Sequence, residues 1–282
     1  HYIKYVVIFG DYEEITSINS VPTFSPEWNI TGYNSYNTKD KLAACDSWYG
    51  LVDTNKNPDN ILLSDNISGY KSLIIGRISP GDTDYYNIND SFDDRIKKIN
   101  VENQINKIIK YENYINHVIY NNSIQDWVNK IIAIGSDDGV GLDNMHDNEY
   151  LRKELEKYQE NNFTFSEFFD GYIPKLAGNS ENSYDNIGNP SVYNVIDKIN
   201  QGASIVLYTG HATEIYLSTS GVTTQHINDI NNKNDTAQFY LLSLVGCSSG
   251  SFDEPFMSFA EKNMTCENKG AISVFSSTIL QS

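Results

Sequence analysis

Residues 239–250 read FYLLSLVGCSSG, and how that stretch is read decides the fold. From Phe239 to Val245 the chain is almost continuously apolar over the length of one strand, and it then breaks into small, turn-forming residues. A strand that is apolar on both faces belongs to a parallel sheet covered by helices. In sheets of that kind, binding and chemistry gather at the carboxyl ends of the strands. Cys247 therefore belongs at a rim, where it is either an exposed nucleophile or one more thiol packed at a strand end.

A partner base decides between the two. Residues 203–214, ASIVLYTGHATE, form a second buried-type strand that ends in Thr209-Gly210-His211. His211 should leave the same rim as Cys247, and the intervening stretch suits a single β-α-β crossover. The thiolate, not the thiol, is the nucleophile, and an adjacent imidazole takes its proton or balances its charge. Rival readings fail on chain order. GCSSG also spells G-x-S-x-G with Ser248 as nucleophile, but that fold needs its histidine later in the chain. The histidines are His1, His117, His146, His211 and His226. None follows Cys247, which also removes a papain-like order of Cys before His.

Around these two strands the chain alternates. Strands are expected at Tyr5–Phe9 and Ser72–Ile78, with a polar surface loop over 82–100. A helix follows over Val101–Ile119, its apolar residues Val101, Ile105, Ile108, Ile109, Tyr111, Ile115 and Ile119 forming a stripe at helical spacing. Then come a strand Trp127–Gly135, a helix Asp147–Glu160, a strand Phe163–Phe169, a helix Ser191–Gln201 capped by Gly202, and the strand Ala203–Tyr208. A helix Thr223–Asn231, the Phe239 strand, a helix Phe256–Met264 and a strand Ala271–Phe275 complete the series. This predicts an α/β fold with a mostly parallel sheet in two subdomains, 1–126 and 127–282.

Composition narrows the function. The 282 residues carry Lys+Arg 20 against Asp+Glu 37, a formal net charge of −17, which repels phosphate backbones and disfavours nucleic acid as a partner. Cys45, Cys247 and Cys266 make no CxxC pair and no complete disulfide framework. No apolar run reaches the roughly 18 residues that a membrane span needs. The start at His1 in place of methionine reads as a processed or an excised chain. Asp53, Asn55, Asn57 and Asp59, in DTNKNPD, put oxygen ligands on alternate residues as a calcium loop does, although Pro58 and Ser64 stand where an EF-hand has its turn glycine and bidentate glutamate.

YTGHATE followed by FYLLSLVGCSSGSFDEPFMSFAE and GAISVFSSTILQS resembles the catalytic domain of gingipain-type cysteine peptidases. The likeness extends to YVVIFGDYEEI at 5–15, SLIIGRIS at 72–79 and IAIGSDDG at 132–139. It implies a three-layer caspase-like fold in which Cys247 is nucleophile and His211 general base and acid. The oxyanion hole would use the backbone N–H groups of Cys247 and Ala212. Ala212 departs from the glycine usual there, and this motivates the alternative of a non-catalytic caspase-like binding module. The resemblance further implies Asp138 of SDDG, preferred over Asp137, as the acid that orients the imidazole. It implies Asp147 and Thr209 as substrate-binding residues, with Asp147 selecting a basic P1 residue; Asp147 also reads as a first-turn helix acid. Structural Ca2+, protein or peptide substrates and a secreted or cell-surface location follow from the same likeness. So does further sheet beyond the point where this chain stops, Gln281-Ser282.

Overall fold

The structure, a computed structural model, describes residues 5–10, 74–81, 94–121, 126–137, 145–158, 162–170, 190–232 and 237–278. The chain divides into two compact units, His1–Pro80 and Gly81–Ser282, a division ahead of the boundary expected at 126/127. In the first unit, β1 (Tyr5–Phe9) and β2 (Ile74–Ile78) pair in parallel, in register from Tyr5↔Ile74 to Phe9↔Ile78. The Gly10 N–H donates to Ile78 O at 3.2 Å, and Arg77 Nη1 donates to Gly10 O at 2.7 Å.

The second unit is built on five parallel strands: β3 (Lys130–Gly135), β4 (Thr164–Phe169), β5 (Ile205–Thr209), β8 (Tyr240–Val245) and β9 (Ala271–Phe275), in the order β4-β3-β5-β8-β9. Between β5 and β8 lies a two-strand hairpin, β6 (Tyr216–Leu217) with β7 (Val222–Thr223). The helices are α1 (Asp94–Asn121), α2 (Asp147–Glu156), α3 (Val192–Asn200) and α4 (Phe259–Thr265), with 3-10 turns at Asp126–Asn129 and Thr224–Asp229. Alternate strand residues serve opposite faces, as the pleat requires. Ile132, Ile134, Val206, Tyr208, Leu242 and Leu244 join Val195, Ile196 and Ile199 of α3 in the larger core. Ile131, Ala133, Phe165 and Phe169 pack with Leu151 and Leu155 of α2 on the other face. The expected α/β architecture with a parallel sheet holds. Among the described residues the second face is covered over β3 and β4 and open over β8 and β9, where Leu241, Val245 and Phe275 are exposed.

Three local expectations are corrected. The strand expected from Trp127 starts at Lys130, because Trp127 turns inward in the 3-10 segment and donates from Nε1 to Tyr114 Oη at 3.0 Å. The helix expected over Thr223–Asn231 is the last strand residue of the hairpin followed by a 3-10 turn. The third correction is α1, which starts at Asp94, inside the expected loop, and turns a polar face inward: Asn100, Gln104 and Lys107 are buried, while Ile96, Ile99 and Ile109 are exposed.

The reason lies in what α1 meets. The end of α4 leaves carbonyls without helical donors, and α1 supplies donors to them. Asn103 Nδ2 donates to Thr265 O at 3.0 Å. Lys107 Nζ donates to Asn263 O, Lys269 O and Ala271 O at 3.0, 3.1 and 2.8 Å, and sits over the Phe239 ring. An apolar face would have left these carbonyls unsatisfied at a cost of about 1–3 kcal/mol each.

Burial pulls the Lys107 ammonium down to about 7, against a smaller opposing electrostatic effect of Cys266. Between that value and the ordinary 10.5, the unfolded chain holds a proton that the folded chain has lost, so stability rises with pH across this window. The slope from one such group approaches about 1.4 kcal/mol per pH unit. In a Cys266→Ser background, urea unfolding from pH 7 to 9 should therefore show a steeper gain in stability with Lys107 than with Lys107→Met. Equal slopes would show that the ammonium stays charged in the fold.

Candidate active site

The order β4-β3-β5 means that the chain leaves β3 toward one side of the sheet and leaves β5 toward the other. A crevice opens at the carboxyl ends of two such strands. The last rung there runs Phe169–Gly135–Thr209–Val245 across four neighbouring strands. It is extended by Asp170 N donating to Gly135 O at 2.9 Å, Ser136 N to Thr209 O at 3.1 Å and Gly210 N to Val245 O at 3.1 Å. One residue beyond the rung stand Ser136, Gly210 and Gly246. Two residues beyond it stand Asp137, His211 and Cys247, an acid, an imidazole and a thiol on three strands side by side. Neighbouring strands are about 4.8 Å apart.

Close backbone packing locks the middle of this row. A Cβ added to Gly246 would lie 2.8 Å from the Ala212 Cβ and 3.0 Å from Gly210 O. Only glycine lets the cysteine turn and the histidine turn touch. Gly210 is confined in the same way, by Thr219 Oγ1 at 2.8 Å and the Ser136 Cβ at 3.1 Å. His211 is exposed and Cys247 half-buried, so both are open to a substrate. Ala212 is buried and is not among the residues with positive φ, so its methyl carries no left-handed strain.

Both turns are also held by the start of α4. The first N–H groups of a helix have no partners within it. Phe259 N donates to Glu214 O at 2.6 Å and Ala260 N to Ser249 O at 3.0 Å, so one helix end grips the loop after His211 and the loop after Cys247. A capping box fixes that end: Ser258 N and Oγ both donate to Glu261 Oε2 at 3.0 Å, and Glu261 N donates to Ser258 Oγ at 3.3 Å. Beyond Cys247, Ser248 takes a φ of 51°. Ser249 is fully buried, its hydroxyl 2.7 Å from that of Ser276. Gly250 N donates to Ser277 O at 2.8 Å and Ser251 Oγ to Thr278 O at 3.1 Å.

The remaining expected residues fall as follows. Thr209 is buried as the last residue of β5. Asp147 opens α2, the first-turn position read from the sequence, and accepts from Ser136 Oγ at 2.8 Å, which puts its carboxylate at the same rim. Its negative charge helps, in a minor way, to raise the Tyr208 phenol, which burial raises most. Asp138 and the calcium candidates Asp53, Asn55, Asn57 and Asp59 lie outside the described residues. Among the described residues no cluster of three or more His, Cys, Asp or Glu could hold a metal, and no helix is long and apolar enough to cross a membrane. Sequence reasoning missed Tyr208 and the Ser249–Ser276 contact. For Tyr208 a signal existed, since a tyrosine in a buried strand needs a partner for its hydroxyl.

The model of peptidase family C25 matches residues 96–282. The chain belongs to peptidase family C25, the gingipain-type cysteine endopeptidases. Gingipain R2 of Porphyromonas gingivalis is 36% identical over 93 residues, which are 32% of this chain and 12% of that protein. Gingipain R1 of Porphyromonas gingivalis is likewise 36% identical over 93 residues, 9% of its length. The complex of Porphyromonas gingivalis RgpB pro- and mature domains superposes with a TM-score of 0.61 at 19% identity, over 99% of this chain and 51% of the solved one. The Arg-specific cysteine proteinase gingipain R gives a TM-score of 0.57 at 20% identity, over 99% and 49%. The C25 chain thus shares the caspase-like fold of these proteins and spans about half of each solved structure.

The lock at Gly246 can be tested directly. Gly246→Ala should force the two turns apart, costing about 1–3 kcal/mol of overpacking. It should lower the melting temperature and slow labelling of the protein by a thiol-directed peptidyl inhibitor. An unchanged melting temperature with unchanged labelling would mean that the turns need no such contact.

Proposed function

We propose that this chain is the working part of a cysteine endopeptidase in which Cys247 is nucleophile and His211 moves the proton. The observation that carries the reading is the seating of both residues two positions past one shared rung of adjacent strands, with their turns in contact at Gly246. His211 takes the thiol proton, and the thiolate attacks the scissile carbonyl carbon. The C–N bond then breaks as the imidazolium returns the proton to the departing amine. Water, deprotonated by the same imidazole, hydrolyses the thioester and releases the acid. The backbone N–H groups of Cys247 and Ala212 would receive the negative charge that develops on the carbonyl oxygen. An acid beyond β3, Asp138 by family resemblance, would orient the imidazole and stabilise its charged form.

Substrates in this reading are proteins or peptides with Arg or Lys at P1. The support is Asp147, whose carboxylate stands at the rim beside Ser136 and could give a basic side chain a charge-assisted bond. Gingipain R is described as Arg-specific. Calcium held by Asp53, Asn55, Asn57 and Asp59 would act structurally, a proposal that rests on the alternating oxygen ligands alone. The net charge of −17 fits cationic segments better than nucleic acid. A secreted or cell-surface location is proposed by analogy with the gingipains.

Cys247→Ala should abolish hydrolysis of Arg- and Lys-containing peptides, and undiminished hydrolysis would refute the mechanism. Asp147→Asn, which can still accept from Ser136, should lower kcat/KM for basic P1 by about 10- to 100-fold, the worth of a hydrogen bond to a charged group. Cleavage after neutral residues should be spared. An equal loss on both substrate types would assign Asp147 to the helix start and not to specificity.

A further inference from the structure

Tyr208 lies in β5 three residues before His211 and is 1% exposed. Its hydroxyl donates to the main-chain carbonyl of His211 at 2.5 Å. In turn the phenol oxygen accepts from Thr219 N at 3.3 Å, and Thr219 Oγ1 lies 3.4 Å away. Ser218 N donates to the same His211 carbonyl at 2.9 Å. That carbonyl therefore has two donors and one fixed direction.

The direction matters because a peptide unit is planar and trans, so its N–H points opposite to its C=O. The partner N–H of this unit belongs to Ala212. Ala212 forms an isolated antiparallel bridge with Leu217. The bonds on either side of it are Ser218 N to His211 O and Thr213 N to Tyr216 O. In that pattern the groups of Ala212 itself turn out of the hairpin. Among the described residues no backbone carbonyl accepts from the Ala212 N–H. The Ala212 side chain meanwhile lies against Gly246, the residue before Cys247.

We propose that Tyr208 is a positioning residue for the oxyanion hole: by holding the His211 carbonyl inward, its phenol sets the Ala212 N–H toward the developing oxyanion and strengthens it as a donor. The strengthening follows because a peptide whose carbonyl accepts a hydrogen bond is polarised along its length. Tyr208 touches neither substrate nor thiol. This role rests on the cysteine peptidase reading and adds a specific residue to it. It also accounts for a tyrosine in a strand where phenylalanine would fill the same space with no hydroxyl to satisfy.

The test is Tyr208→Phe in the full chain, read in three ways. Deleting an oxyanion-hole donor outright costs about 100- to 1000-fold in kcat, and loosening one should cost about 10- to 100-fold, with KM within about twofold. A peptide aldehyde, which adds to the Cys247 thiolate to give a hemithioacetal oxygen in the same hole, should bind more weakly by a similar factor. Alkylation of Cys247 by iodoacetamide displaces iodide and develops no oxyanion, so its rate and pH profile should stay within about twofold. Thr219→Val, which keeps the phenol and removes the neighbouring hydroxyl, should show the same aldehyde-selective loss to a smaller degree, and it carries the test if Tyr208→Phe does not fold. Parallel losses in aldehyde binding and alkylation, or no loss in either, would overturn the role of Tyr208 while leaving the peptidase intact. A wild-type chain that neither cleaves peptides nor binds the aldehyde would overturn the peptidase reading, and this inference with it.

Discussion

The site depends on one steric constraint, the contact of the turn after β5 with the turn after β8 at Gly246. Parallel strands bring their carboxyl ends to one rim, but strand spacing alone leaves adjacent turns free to splay. Gly246 removes that freedom by leaving no room for a side chain against Ala212 and Gly210. The start of α4 then ties the two turns from the far side, through Glu214 O and Ser249 O. His211 and Cys247 thus leave adjacent turns that pack against each other at Gly246, two positions past one shared rung of the sheet.

Around that contact the molecule spends polar groups where an apolar core would be expected. Lys107 and Asn103 of α1 reach the carbonyls at the end of α4 and the start of β9. Tyr208 reaches the carbonyl of His211. The Ser249 hydroxyl meets Ser276 beside β9. Lys107 and Asn103 supply donors to main-chain carbonyls, Tyr208 adds a second donor to a carbonyl that already accepts from Ser218 N, and Ser249 pairs hydroxyl to hydroxyl with Ser276. In the low dielectric of the interior such bonds fix orientation as well as position, which is what the proposed oxyanion hole asks of its N–H.

Much of this was legible in the sequence, for physical reasons. Apolar runs of strand length bounded by turn residues, such as YLLSLV and IVLYT, read as parallel strands whose ends point to Cys247 and His211, although the second face of the sheet is open over β8, where Leu241 and Val245 are exposed. The helix α1 is longer than its apolar stripe indicates, and its most buried positions are the polar Asn100, Gln104 and Lys107, while the stripe is half-buried and its Ile109 exposed. Periodicity locates a buried face only where burial is apolar, and here tertiary carbonyls select for donors. The hairpin Tyr216–Thr223 leaves no sequence signal because two-residue strands carry no period, and the helix expected over Thr223–Asn231 is mostly the 3-10 turn Thr224–Asp229. Tyr208 was passed over as core, since a strand pattern records that a side chain points inward and not what its hydroxyl must find there.

The resemblance to gingipains carried the assignment of roles, and the fold they share explains why it could. With Asp137, His211 and Cys247 on successive strands of one rim, the order of strands in space sets the order of chemical groups. The measurement that bears most directly on the central claim is mass spectrometry of the chain after reaction with a peptidyl acyloxymethyl ketone carrying Arg at P1. The account predicts a single adduct on Cys247 that disappears in His211→Ala, with Cys45 and Cys266 unmodified. An adduct on either of those cysteines in preference to Cys247, or labelling of Cys247 that is indifferent to His211, would contradict it.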